Sequence, residues 1–270
     1  FQAEDGIRDR SPSRGLGDVY KRQVQTIKQA QNNIGGLSNA GKMPALSWNI
    51  PVEYCDTGSV LIDVDGSACF GCYADAGRYK FSNVQNALEN RFQKYLENRQ
   101  LWVESVSFIL NNSKVMKDVP FFRWFDAGDI IDLQHLMDIY QVARNTPHIT
   151  HWLPTKEWQH KKQFQSPVKP DNVTVRVSAP FKNKPFKPNK HETHSVVLTK
   201  SEFDKYENDP TVNDKIWFCP SHLQDGQCKD CRACWDLDVE CIAYKYHGKK
   251  SDGMSTNLLQ VETLNYREVA

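Results

Sequence analysis

The cysteines of this chain fall into two sets, and any fold it adopts has to gather each of them. Cys55, Cys69 and Cys72 form one set, and Cys219, Cys228, Cys231 and Cys234 form the other within and just before the run "CKDCRACW". Cys228, Cys231 and Cys234 repeat as C-x2-C-x2-C, a spacing that curls a loop so that three thiolates face one cluster while a more distant cysteine, Cys219, supplies a fourth ligand. Iron–sulfur ligation therefore ranks first, a structural four-cysteine zinc site second, and disulfides last. Neighbouring CxxC pairs without secretory context more often serve metals or redox chemistry than cross-links. Cys241 is left over and reads as a small buried hydrophobe.

The N-terminal set differs in kind, because three thiolates leave one coordination position open. A 4Fe–4S cluster with a free iron binds a small molecule there, which is how radical-generating enzymes of the S-adenosylmethionine class use it, with the protein positioning and tuning the cofactor. Two clusters, one per set, are the expectation, with zinc as the alternative metal.

The chain has 270 residues and a formal charge of +1, with 34 Lys and Arg against 33 Asp and Glu. Residues 1–23 resemble translated sequencing-adapter sequence and are read as lying outside the fold. They hold the whole excess charge, so the remainder is balanced and has no global polyanion-binding signature. No apolar run approaches the roughly 18–20 residues of a membrane helix. The expectation is a cytoplasmic protein, in the host cytoplasm if phage-encoded. Residues 156–190 concentrate nine Lys and Arg against two Asp and Glu among five prolines. This reads as a solvated irregular face, with weak nucleic-acid contact as the rival.

Periodicity supplies the elements. Residues 24–50 are polar and Gly-rich, and Lys42–Pro51 reads as an extended lead-in. Ser82 suits an N-cap, and Val84, Leu88, Phe92, Tyr95 and Leu96 recur at helical spacing, followed by a second run through Trp102, Val106, Ile109 and Leu110. Asp132 caps a third helix to Arg144. Four short apolar stretches, Pro120–Asp126, His148–Leu153, Asn172–Ser178 and His194–Thr199, read as strands. Strands alternating with helices imply βαβ units and a parallel sheet.

"GSACFGCYADAGRY", "FRWFDAGDI", "HWLPTKEW", "VTVRVSAP" and "CPSHLQDGQCKDCRACWD" together resemble the phage gene product 88 family, across about Lys42 to His247. "GCYA" and "CRACW" also resemble relatives of the radical S-adenosylmethionine superfamily. That resemblance implies a partial β/α barrel. The superfamily signature C-x3-C-x2-C keeps its last spacing in Cys69 and Cys72, but thirteen residues separate Cys55 from Cys69. A small hairpin in the insert "DTGSVLIDVDGSA" is expected to return Cys55 to the others.

The fold class expected is thus α/β, a partial β/α barrel over residues 24–205 with a cysteine-rich, metal-binding C-terminal extension over 206–270. In such a barrel, ligands sit at the C-terminal ends of the strands. The candidate cofactor-binding residues are accordingly Asp126, Gly128 and Asp129 after the first strand, Thr155 and Lys156 after the second, and Ser178 after the third. The same Asp and Ser residues would also serve as caps at strand-to-helix turns. Arg123, between Phe122 and Trp124, would face the lumen and pair with a carboxylate. His148 and His151 on one strand would point to opposite faces, so they are not expected to share a metal. The function expected is a phage-type iron–sulfur protein, an S-adenosylmethionine-dependent radical enzyme of unknown substrate. The alternative is a structural zinc protein that binds nucleic acid.

Overall fold

A computed structural model of the chain describes residues 24–165, 167–184, 193–209 and 216–247. The reading of residues 1–23 lies outside the described residues. Eight strands form one sheet: β1 (Ser38–Asn39), β2 (Leu46–Trp48), β3 (Phe121–Trp124), β4 (Thr150–Thr155), β5 (Val173–Ser178), β6 (His194–Leu198), β7 (Ile216–Phe218) and β8 (Cys241–Lys245). Their order is β1-β2-β3-β4-β5-β6-β8-β7. β1 runs antiparallel to β2, and every other neighbouring pair is parallel. The mixed α/β class is as expected, and the sheet is open, with β1 and β7 at its two edges. The cysteine-rich C-terminal part adds β7 and β8 to this same sheet.

The helices are α1 (Ile27–Ile34), α2 (Asp56–Leu61), α3 (Ser82–Glu97), α4 (Arg99–Asn112), α5 (Lys114–Asp118), α6 (Leu133–Asn145), α7 (Lys161–Phe164) and α8 (Lys200–Glu207). Asp132 caps α6 as its sequence implies, accepting a bond from the His135 amide at 2.6 Å. Three local expectations are corrected. The insert after Cys55 forms α2 and a chain of turns instead of a hairpin. Residues 27–34 are helical because Thr26 caps them, Gly35 ends them in the left-handed region at φ 71°, and Ala30 and Ile34 are buried on one face. Phe81, not Ser82, occupies the N-cap position of α3, and Ser82 begins the helix.

Period-two alternation separates the two faces of the sheet. Phe122 and Trp124 of β3, Leu153 of β4, and Val173, Val175 and Val177 of β5 enter the main core with Trp102, Ile109, Leu136 and Ile139 of α4 and α6. The intervening positions, Phe121, Arg123, Trp152, Thr174 and Arg176, face the other way. That second face is covered by the C-terminal cysteine segment: Trp235 packs with Met43, Ala45 and Trp152. Its indole donates to the Phe122 carbonyl at 2.9 Å. The cysteine-rich extension is therefore the second layer over the middle of the sheet.

Candidate functional site

Cys55, Cys69 and Cys72 lie beyond the C-terminal ends of β2, β3 and β4, the end where open α/β sheets hold ligands. Cys55 is the N-cap residue of α2. The first turn of that helix is held by Glu157, which follows β4. Thr57 donates its amide to Glu157 Oε1 at 3.2 Å and its hydroxyl to Oε2 at 2.7 Å. Gln159 Nε2 adds a bond to Oε2 at 2.9 Å, and Glu157 is fully buried. The chain then turns through Ser67, whose hydroxyl donates to the Leu61 carbonyl at 2.6 Å and accepts from the Cys69 and Phe70 amides at 3.2 and 2.9 Å. Ala68 donates to the Pro180 carbonyl at 2.7 Å, tying this loop to the segment after β5. The Cys72 amide bonds the Cys69 carbonyl at 2.9 Å, so the pair shares one turn.

These thiols are electrostatic neighbours. Burial pushes the Cys55 thiol up, and Asp129, Glu157 and Cys69 push it further, against Lys156. Burial also raises Cys69, with Lys156 opposing and Cys72, Asp129 and Glu157 adding. Asp129 is buried at the end of β3, where burial and then Glu157 lift its carboxyl to about 7. The Lys156 amide at 2.8 Å, the Thr155 hydroxyl and the Ile130 amide at 2.8 Å work against that rise. Burial disfavours the Lys156 ammonium, yet Cys69, Asp129, Cys72 and Tyr73 outweigh it and raise the lysine. The result is one cation faced by thiols and carboxyls, with Asp129, Thr155 and Lys156 of the expected residues brought to it.

The other expected residues have different surroundings. Asp126 is occupied: Arg123 pairs with Oδ1 at 2.7 Å and Ser47 donates to Oδ2 at 2.8 Å. Arg123 does pair with a carboxylate as expected, and its guanidinium lies over Trp152 at 4.5 Å. Gly128, at φ 86°, allows the backbone to approach Ile50, since a Cβ there would stand 2.3 Å from Ile50 Cγ1 and 2.8 Å from its carbonyl oxygen. Its role is close packing of β3's exit against β2's. Ser178 meets Ser195 across the β5–β6 pair at 3.2 Å. His148 sits in the turn before β4, not on the strand, and is exposed. His151 is buried, with Nε2 2.9 Å from the Thr146 hydroxyl.

The C-terminal set surrounds the second layer. Burial raises Cys228, with Cys219 and Cys231 adding to it. Cys234, pushed up to about 12 by burial, lies 3.2 Å from the Tyr244 hydroxyl and also feels Cys219. The segment is anchored by Arg176 of β5, which is completely buried. Its guanidinium donates to the carbonyls of Cys234 at 2.9 Å, Val239 at 2.8 Å, Ala233 at 2.8 Å and Asp236 at 2.6 Å. Thr174 adds a bond to the Trp235 carbonyl at 2.7 Å. Arg123 reaches both regions, moderating Cys228 and Cys234 on one side and pairing with Asp126 on the other.

All eight cysteines are free thiols. Among the described residues, no group of three or more His, Cys, Asp or Glu side chains is gathered closely enough to hold a metal ion. The basic stretch after residue 156 is partly internal: Arg176 anchors the cysteine segment, Lys156 faces thiols, and Lys169 bonds the Pro170 and Val173 carbonyls at 3.1 and 2.9 Å. Glu157 and Arg176 are the residues sequence reasoning missed. For Arg176 the sequence showed only its alternation with the valines of "VTVRVS", which puts it on the face opposite the main core. Glu157 gave no signal, because its partner is a hundred residues away.

A family model described as gene product 88 matches residues 20–237 of the chain. No curated protein and no solved structure matches. No helix among the described residues is long and apolar enough to cross a membrane.

Proposed function

This chain belongs to the gene product 88 family, and from that premise we propose that it is a phage-type iron–sulfur protein acting as a radical S-adenosylmethionine-like enzyme. One observation carries the reading. Cys55 and Cys69, and Cys69 and Cys72, are electrostatic neighbours, and Lys156 and Asp129 act on them from the C-terminal ends of adjacent parallel strands. A partial β/α barrel is the architecture this reading implies for the open sheet.

The donors match the group in chemical type, three thiols with a cation beside them, although the described residues are not gathered as tightly as a metal site requires. A structural zinc ion needs four ligands at about 2.3 Å from one centre when they are thiolates. A cluster takes its thiolates on separate irons. When bound, such a cluster supplies one-electron chemistry at a position left free by three cysteine ligands. The chain's own contributions are separable. Cys55, Cys69 and Cys72 would hold the metal, and Lys156 would offset the negative charge of their thiolates. Asp129, fixed by the Ile130 and Lys156 amides, presents a buried carboxyl to an amino or hydroxyl group of a ligand. The substrate is not specified by these groups.

Zinc is the second reading for the C-terminal set, supported by the influence of Cys219 on Cys228 and Cys234 and of Cys231 on Cys228. Anaerobic purification followed by reconstitution with iron and sulfide tests both readings. A brown protein with visible thiolate-to-iron absorbance and iron on both cysteine sets supports the proposal. Release of 5′-deoxyadenosine from S-adenosylmethionine under reduction extends it to radical chemistry. A colourless protein with stoichiometric zinc rejects it in favour of the structural alternative.

A further inference from the structure

The thirteen residues between Cys55 and Cys69 pose a mechanical problem, since nothing local in the sequence returns Cys55 to the other two thiols. The solution lies on another strand. Glu157, fully buried after β4, accepts both the amide and the hydroxyl of Thr57, two residues after Cys55. The same carboxylate is braced by Gln159, and its own amide donates to the Thr155 hydroxyl at 3.0 Å. Thr155 and Lys156 precede it directly, so the strand end that presents Lys156 to the thiols also fixes the helix that begins at Cys55. A second feature of α2 points the same way. A Cβ at Gly58 would lie 2.8 Å from Cys55 Cβ, so only glycine leaves room for the Cys55 side chain against the first turn. A carboxylate buried among hydrogen-bond donors, with no cation bonded to it, is costly to keep unless its acceptors are all used. Here the donors come from α2 and Gln159.

We infer that Glu157 is the positioning residue for Cys55: it clamps the first turn of α2 and so holds this thiol beside Cys69 and Cys72. The inference rests on the proposed metal reading only for its purpose, because the clamp itself can be measured on thiols without metal.

The test is alkylation of the full-length, metal-free protein with iodoacetamide, followed by peptide mapping of each cysteine, with buried Cys241 as the internal reference. Glu157→Ala removes both bonds and is expected to speed Cys55 alkylation about tenfold, equivalent to about 1.4 kcal/mol in the local opening equilibrium. Removing the carboxylate also eases ionisation of Cys55, so Thr57→Val supplies the control. It deletes only the hydroxyl bond, keeps the Glu157 side chain, and is expected to speed Cys55 by about threefold. Glu157→Gln, which retains an acceptor for the Thr57 amide, should fall between wild type and Glu157→Ala. Cys241 should keep its wild-type rate throughout and Cys69 its own in Thr57→Val; in Glu157→Ala Cys69 should rise less than Cys55, since the same carboxylate also raises the Cys69 thiol. A Thr57→Val protein indistinguishable from wild type at Cys55 overturns the inference, as does an equal rise at Cys69 and Cys241. Should Glu157→Ala fail to fold, Thr57→Val decides alone. Iron content after anaerobic reconstitution is a separate arm. Wild-type protein that takes up no iron sinks the cluster reading while leaving the thiol result standing.

Discussion

Replacing His135 by leucine should make the protein markedly less sensitive to acid. His135 is fully buried in α6, boxed by Trp48, Tyr95, Trp102 and Phe125 with ring centroids 5.7, 4.3, 5.8 and 5.6 Å away. Neither ring nitrogen has a hydrogen-bond partner. Burial drives its pKa down to about 3, with Asp132 opposing and Arg99 assisting. In the unfolded chain a histidine titrates near 6.5. The folded state therefore stays neutral where the unfolded state binds a proton. The stability this confers is complete above about pH 6.5 and is lost as the pH falls from there toward 3. At pH 5 the loss from His135 is about 1.5 pH units at 1.36 kcal/mol each, or about 2 kcal/mol. His151 has the same direction and cause, and Asp129, raised to about 7, acts oppositely. Both remain in the variant and cancel in the difference. At pH 7 the substitution trades aromatic edge contacts against the removal of two unsatisfied buried nitrogens, so the net change is within about 1 kcal/mol. Urea unfolding of wild type and His135→Leu at pH 7, 6 and 5 measures the outcome. The variant should gain about 2 kcal/mol relative to wild type between pH 7 and 5, roughly 4–8 °C in Tm for a chain of this size. A stability difference that stays constant across that range would refute the assignment of His135 as a buried neutral histidine.

Arg176→Met should destabilise the protein by about 3–5 kcal/mol, because four backbone carbonyls of the C-terminal segment lose their bonds to the guanidinium inside the fold. Limited proteolysis should then cut first within residues 219–240, and Arg176→Lys should not rescue it, since an ammonium cannot span the fork that the guanidinium fills. Gly128→Ala should cost more than about 2 kcal/mol by urea unfolding, given the φ of 86° and the 2.3 Å approach to Ile50. Under the metal reading, Cys72→Ser should abolish any S-adenosylmethionine cleavage while retaining the metal of the C-terminal set, and Cys231→Ser should lower Tm first. Metal analysis of the two variants showing the same loss would instead mean that a single centre uses both sets.

Much of this molecule could be read from neighbours along the chain. The strands at Phe121–Trp124, Val173–Ser178 and His194–Leu198 fall inside the stretches marked by short β-branched and aromatic runs. The helix Leu133–Asn145 carries its apolar face in thirteen residues, with its cap Asp132 directly before them. Such features are legible because propensity, capping and periodicity are set within a turn or two of the residue concerned. The insert after Cys55 was not, since "DTGSV" is indifferent between a hairpin and a short helix until Glu157, far along the chain, supplies partners for the helical first turn. Arg176 shows the other limit. Alternation in β5 gives its face, but only the folded sheet brings the carbonyls of a cysteine-rich segment over that face, and a buried guanidinium is tolerable only because they accept from it. Sequence thus determined the class of the fold and the elements that carry their own caps and apolar faces. Tertiary structure decided which buried charge meets which backbone, because that depends on desolvation and on partners separated by tens of residues of chain.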